Sequence, residues 1–336
     1  MTSASTIAGR PERLGLLFLG APSVPEMVAL ARRAEARGFD SVWIAETRLT
    51  RDGIVPLTAM AMGTERIRVG TGIINVYTRG PAVIAITFLG LEELAPGRIC
   101  MGLGAGSPLV LAPQGVPFDK PLTRVREYVE VIPRLMRGEE VTYHGETVRL
   151  EAARVEDLLA SGLGGDGRVP LWLAATGPRM LEYAGEVADG VMLNACLPAE
   201  YVERSLERIE RGARRAGRSL ADLEISMAIV CAPAEDSAAG KDKARRFIAL
   251  YLSLFPNIAA ATGLAEAWCA RLRATFERDG LEAAVPLVDD AVVDRLSAAG
   301  TVEECRRRLD DYRRAGVGLP VLAPMDGTMD LVIDRV

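Results

Sequence analysis

Two patterns of hydrophobic and polar positions alternate along the chain. Short continuous apolar runs bounded by glycine or proline predict strands buried on both faces, and longer stretches with apolar residues at helical spacing predict amphipathic helices. Residues 14–19 open the series as a strand stopped by Gly20 and Pro22, and 25–37 follow as a helix that starts beyond Ser23 and ends at Gly38. The unit repeats with strands at 41–45, 67–74 and 98–103 and helices at 56–62 and 81–94. A loop through Gly106, Pro108, Pro113 and Pro117 leads to a helix over 123–136 that tolerates Pro133, an excursion over 141–150, and a loop with a short helical piece over 153–168. Alternation resumes with strands at 169–174, 190–193 and 223–230 and helices at 178–186 and 201–216. Helical pattern then covers 237–255 and 264–278, interrupted by Pro256 and alanine-rich 257–263, before a helix at 301–314 and a strand at 318–323. Eight buried strands interleaved with helices and no linker between them predict one α/β domain over 13–330, a closed (β/α)8 barrel with insertions after strands 4 and 7. Residues 1–12 are expected to be an N-terminal extension.

Composition narrows the function. Of 336 residues, 49% are hydrophobic, enough for a large core, and the net charge of -5 excludes a polybasic nucleic-acid binder. No 18-residue apolar run is present, and residues 1–10 lack the apolar stretch of a signal peptide, so neither membrane association nor export is expected and a cytoplasmic location is. The single histidine, His144, lies in a polar, turn-like stretch, which rules out a paired-histidine metal site and leaves any catalytic triad only this ring. Cys100, Cys196, Cys231, Cys269 and Cys305 are at least 35 residues apart and form neither a metal cluster nor a disulfide framework. Arginine outnumbers lysine heavily: Lys120, Lys241 and Lys243 are the only lysines, and none falls at a strand end where a Schiff base would form.

A barrel builds its site where the carboxyl ends of the strands meet, so polar residues there are the candidates. Glu46, Thr47 and Arg48 end strand two, Asn75, Tyr77 and Arg79 follow strand three, and Asn194 ends strand six. Gly102-Leu103-Gly104-Ala105-Gly106-Ser107 follows strand four like a dinucleotide fingerprint, but prolines rather than an immediate helix come next. Its glycines are expected instead to let backbone approach a ligand. Ala175-Thr176-Gly177-Pro178 joins strand five to its helix, with a hydroxyl, a glycine and a first-turn proline beside amides that could hold a phosphate.

Long motifs in order then identify the chain as resembling the bacterial-luciferase-like superfamily, in its coenzyme F420-dependent branch, near methylenetetrahydromethanopterin reductases. They are 36–44, 70–81, 102–106, 175–189 with Gly190 and Asn194, and 283–300, within a resemblance that runs from Leu14 to Met325. The resemblance implies a TIM barrel, usually a homodimer, that holds a deazaflavin across the strand ends, with FMN and monooxygenase chemistry as the alternative. It also implies a non-prolyl cis peptide at Gly72–Ile73, phosphate near Ala175, Thr176, Gly177 and Pro178, and ring or tail contacts near Thr47, Asn75 and Asn194; Gly104 of the glycine motif is the further candidate for close approach to the cofactor. Three positions depart from the reductase pattern: Leu17 stands for a glutamate, Ser107 for an aspartate, and Glu46-Thr47 for an Asp-His pair. The expected activity is hydride transfer between the deazaflavin and a C=N, C=C or C=O carbon of a small substrate such as a pterin-like or imine compound, without a metal, with Glu46, Tyr77 or Ser107 assisting the proton.

Overall fold

The computed structural model describes residues 13–20, 22–47, 49–156 and 168–336. Eight parallel strands form a closed barrel: β1 Gly15–Phe18, β2 Ser41–Ile44, β3 Arg68–Thr71, β4 Ile99–Gly104, β5 Leu171–Ala174, β6 Gly190–Leu193, β7 Glu224–Pro233 and β8 Leu319–Pro324. Each pairs with the next, and β8 closes on β1 with Gly15 opposite Val321. Around them lie α1 Val24–Ala36, α2 Ile54–Gly63, α3 Pro81–Leu94, α4 Pro121–Met136, α5 Pro178–Val187, α6 Ala199–Arg215, α7 Ser237–Leu254 and α8 Val302–Arg314. The strands are apolar on both sides because helices cover one face and the barrel interior fills the other.

Inside, Trp43 and Trp172 meet edge to face with ring centres 4.9 Å apart, and the Trp43 indole donates to Ser41 Oγ at 2.9 Å. An ion network anchors the amino ends of the strands. Arg13 pairs with Asp40 and with Glu224 at 2.6 Å each, while Arg68 pairs with Glu224 at 3.0 Å and also with Asp40.

The longest connections follow β4 and β7. After α4 a hairpin, Val141–His144 with Arg149–Ala153, projects outward and carries exposed His144 against Glu151 at 2.9 Å. Pro133 is accommodated in the last turn of α4, where its own carbonyl still receives the Arg137 amide. The proline-rich stretch expected to be loop contains an α-helical turn, Pro108–Leu111, followed by a 3-10 turn, Ala112–Gln114. Beyond β7 the helical region carries one strand the pattern did not predict: Ala298–Gly300 pairs in parallel with Cys231–Pro233. Three small residues carry no periodicity, so only the exposed edge at the end of β7 creates that strand. Residues 1–12, Arg48 and most of the predicted 153–168 loop lie outside the described residues. Among the described residues no helix is long and apolar enough to cross a membrane.

Candidate active site

The predicted third strand splits in two. Val69 and Gly70 face Ile99 and Cys100, whereas Ile74 and Asn75 face Leu103 and Gly104. Thr71, Gly72 and Ile73 therefore stand opposite only Met101 and Gly102, one residue in excess, which is a β-bulge. The Gly72–Ile73 peptide within it is cis. The Thr71 hydroxyl spans the interrupted ladder, donating to Gly102 O at 2.8 Å and accepting from Gly102 N at 2.9 Å.

This bulge accounts for the glycines of β4. A methyl group at Gly102 would lie 1.8 Å from Thr71 O, and one at Gly104 would lie 2.9 Å from Ile73 Cδ1 and 3.2 Å from Ala174 Cβ. Those two positions make room for the protein's own third strand. Gly72 faces Leu17, Trp43 and Met192, so the bulge rests on an apolar floor.

Several sequence-derived candidates converge beside it. Glu46 takes Arg79 Nη1 on both oxygens, at 2.7 and 2.9 Å, and also accepts from Asn75 Nδ2 at 3.2 Å and Gly53 N at 3.3 Å. Its own amide donates to Ile73 O at 3.3 Å. Asn75 is buried, and its Oδ1 accepts from the amides of Tyr77 and Thr78 at 3.0 Å each. Thr47 uses its carbonyl to close a turn with Thr50.

Tyr77 is committed elsewhere. Its hydroxyl donates to Asp119 O at 2.6 Å, its ring stacks on Phe118 at 5.4 Å, and the Arg124 guanidinium lies 4.6 Å from the ring centre. Burial lifts the Tyr77 hydroxyl above its ordinary value and Arg124 opposes that rise. Ser107 differs: its Oγ is buried and has no hydrogen-bond partner among the described residues. A buried hydroxyl left unmatched is costly, so this atom is suited to a ligand.

Across the mouth, Gly177 precedes α5 and Pro178 opens it. Leu181 N returns to Gly177 O, whereas the Arg179 and Met180 amides find no acceptor among the described residues. Thr176, Gly177 and Pro178 line a cavity of about 440 Å³ together with Tyr201, Arg204 and Asn257. Tyr201 braces the turn by donating to Thr176 O at 2.6 Å, and Ala175 N joins Met192 O at 3.2 Å. The Arg208, Arg211, Arg214 and Arg215 side chains of α6 are paired with Glu182, Glu186 or Glu210, while Arg204 has no ion pair among the described residues. Free amides, a helix dipole and an unpaired guanidinium around one cavity suit a phosphate. Sequence reasoning found the turn but missed Arg204, Tyr201 and Asn257, whose only signal is their placement after folding. Asn194 ends β6 and is held by Tyr251 of α7, also unforeseen, at 2.7 Å. Among the described residues no cluster of three metal-ligating side chains is present.

Comparison with known proteins follows the same geometry. A family model described as luciferase-like monooxygenase matches residues 5–318. The chain is 32% identical to the 5,10-methylenetetrahydromethanopterin reductase of Methanolobus tindarius, covering 90% of this chain and 91% of that one. The structure of the coenzyme F420 dependent tetrahydromethanopterin reductase from Methanopyrus kandleri superposes with a TM-score of 0.80 at 26% identity, covering 96% of this chain and 97% of that one. A Baeyer-Villiger monooxygenase from Pseudomonas putida in complex with FMN, 16% identical with a TM-score of 0.69 over 96% of this chain and 94% of its own, shares the fold alone.

Proposed function

The chain belongs to the luciferase-like monooxygenase family, and from that premise we propose that it is a coenzyme F420-dependent oxidoreductase, moving a hydride between the reduced deazaflavin and a C=N, C=C or C=O carbon of a small substrate. The observation that carries this reading is the way the apolar bulge and the anion-suited turn meet: Gly104 lies between Ile73 of the bulge and Ala174, which leads into the 175–178 turn. The residues present fit the group. Leu17, Gly72, Ile73 and Met192 offer an apolar seat, and the α5 amino end with Arg204 supplies a phosphate site. When bound, the deazaflavin supplies a carbon that donates or accepts hydride.

The chain's own residues divide the remaining work. The Ile73 side chain and the floor beneath it would hold the ring and exclude water from that side, which would keep donor and acceptor together. Thr47, Asn75 and Asn194 would border the ring, and the Glu46–Arg79 pair braces Asn75 and the bulge. Of the three residues expected to assist the proton, Glu46 and Tyr77 already hold protein partners and Ser107 does not. Ser107 is therefore assigned the hydrogen bond to the atom that gains the proton, with solvent as the source. Leu17 and Ser107, where the reductase pattern has acids, give a less anionic pocket suited to a neutral electrophile.

The partner is a second copy of this chain. Apolar residues run around α2 and α3, and Val55, Met62, Val83, Ile86 and Leu94 stand exposed on these neighbouring helices. An apolar patch shared by two helices is suited to burial in a symmetric dimer. All five thiols are free, as suits a reducing cytoplasm.

Titration with oxidised F420 and with FMN, followed by anaerobic oxidation of reduced F420 against imines, enones and ketones, tests the reading. Saturable F420 binding and turnover with one acceptor class are expected. Tight FMN binding with substrate-dependent oxygen uptake, and no affinity for F420, would overturn it. Ser107→Ala is expected to lower the hydride-transfer rate about a hundredfold while leaving F420 affinity within about twofold.

A further inference from the structure

The insertion after β7 also reaches the end of β6. Tyr251, on α7, donates its phenol hydrogen to Asn194 Oδ1 at 2.7 Å, and the Ala195 amide donates to the same oxygen at 2.7 Å. A carboxamide oxygen has two lone pairs, so both are filled and the amide has one orientation. Its nitrogen must face the other way. Asn194 Nδ2 has no hydrogen-bond partner among the described residues and is not among the buried unmatched atoms, so its two N–H groups remain available on accessible surface.

The Tyr251 ring is itself clamped. Phe247 stacks on it at 5.3 Å and Phe255 lies tilted against it at 4.6 Å, the three spaced four residues apart along α7 and its end. Burial holds the phenol above its ordinary value, so it is a donor throughout the working range. A rigid donor therefore dictates which end of the neighbouring amide points at the site.

We infer that Tyr251 is a positioning residue for the cofactor: by filling the Asn194 carbonyl together with Ala195 N–H, it turns the Asn194 NH2 toward the ring and makes the end of β6 a donor-only site for a ring that presents a carbonyl or nitrogen acceptor. This rests on the deazaflavin reading. It gives the β7 insertion a share in cofactor selection, since without the phenol only the Ala195 N–H would hold the carboxamide in this orientation.

The test is a double-mutant cycle on the full chain, read by oxidised F420 titration, the absorption band of the bound cofactor and thermal melting. Tyr251→Phe and Asn194→Ala are each expected to weaken binding about five- to tenfold, the loss of about one hydrogen bond. In the Asn194→Ala background, Tyr251→Phe is expected to cost nothing further. The bound absorption band in Tyr251→Phe should move toward that of the free cofactor. Asn194→Asp keeps the acceptor for Tyr251 but replaces the outward NH2 by oxygen, so it should bind more weakly than Asn194→Ala while melting like wild type. Equal losses from Tyr251→Phe in both backgrounds, no loss at all, or an Asn194→Asp protein that binds as well as Asn194→Ala would overturn the inference. Absence of F420 binding by the wild type is a separate result that removes the deazaflavin reading and this inference with it.

Discussion

Gly102 carries the most severe local constraint at the residue scale, because any side chain there would occupy the space of Thr71 O. Gly102→Ala is expected to destabilise the fold by roughly 3 kcal/mol or more, since backbone and not a flexible side chain must move, and denaturant unfolding would measure it. Glu46 makes a contrasting case. Its side chain is 11% exposed and its partner Arg79 19%, so Glu46→Gln strips a charge from a largely buried pair. A loss of about 2 kcal/mol in stability is expected, with a hydride-transfer rate whose pH profile keeps its shape; a profile that loses a limb would make Glu46 the proton donor instead. The glycine motif and the strand-end polar residues were both legible in the sequence. What the motif does was not: its glycines admit the third strand, because a bulge thirty residues earlier sets the space, and such a separation leaves no local pattern.

At the scale of an element, one carboxylate gathers the turn of the hairpin that follows α4. Buried Glu127 accepts from the amides of Glu146 at 2.6 Å and of Thr147 and Val148 at 2.8 Å each, and from the Thr147 hydroxyl at 2.5 Å. Burial pushes against its charge, yet these hydrogen bonds hold it below its ordinary 4.5. A lowered folded value means the stabilisation is complete above the unfolded value and is lost as pH falls through the folded one. Glu127→Gln is therefore expected to cost about 2 kcal/mol near neutrality and progressively less in acid, in urea unfolding followed at successive pH values. An undiminished cost at low pH would show that shape, and not charge, holds the hairpin. Sequence periodicity found α4 and the excursion, since both carry strong local pattern. It assigned loop to Pro108–Leu111 and overlooked Ala298–Gly300, because a single turn and a three-residue strand exist only by virtue of what they pack against.

The exposed apolar side chains of α2 and α3 bear on the whole molecule. Met62, 63% exposed on α2, is expected to be covered in solution, so Met62→Asp should convert a dimer to monomer in sedimentation velocity without loss of the barrel's circular dichroism. A wild type that sediments as a monomer would end the dimer proposal. Alternation of apolar runs with helical periodicity determined the barrel, because strands buried on both faces and helices buried on one leave distinct signatures, and right-handed β-α-β units close in one way. The mouth was decided only by tertiary structure. Which glycine yields to which strand, which arginine lacks an acid, and which tyrosine turns Asn194 depend on atoms dozens of residues apart brought within 3 Å, and no spacing along the chain records that distance.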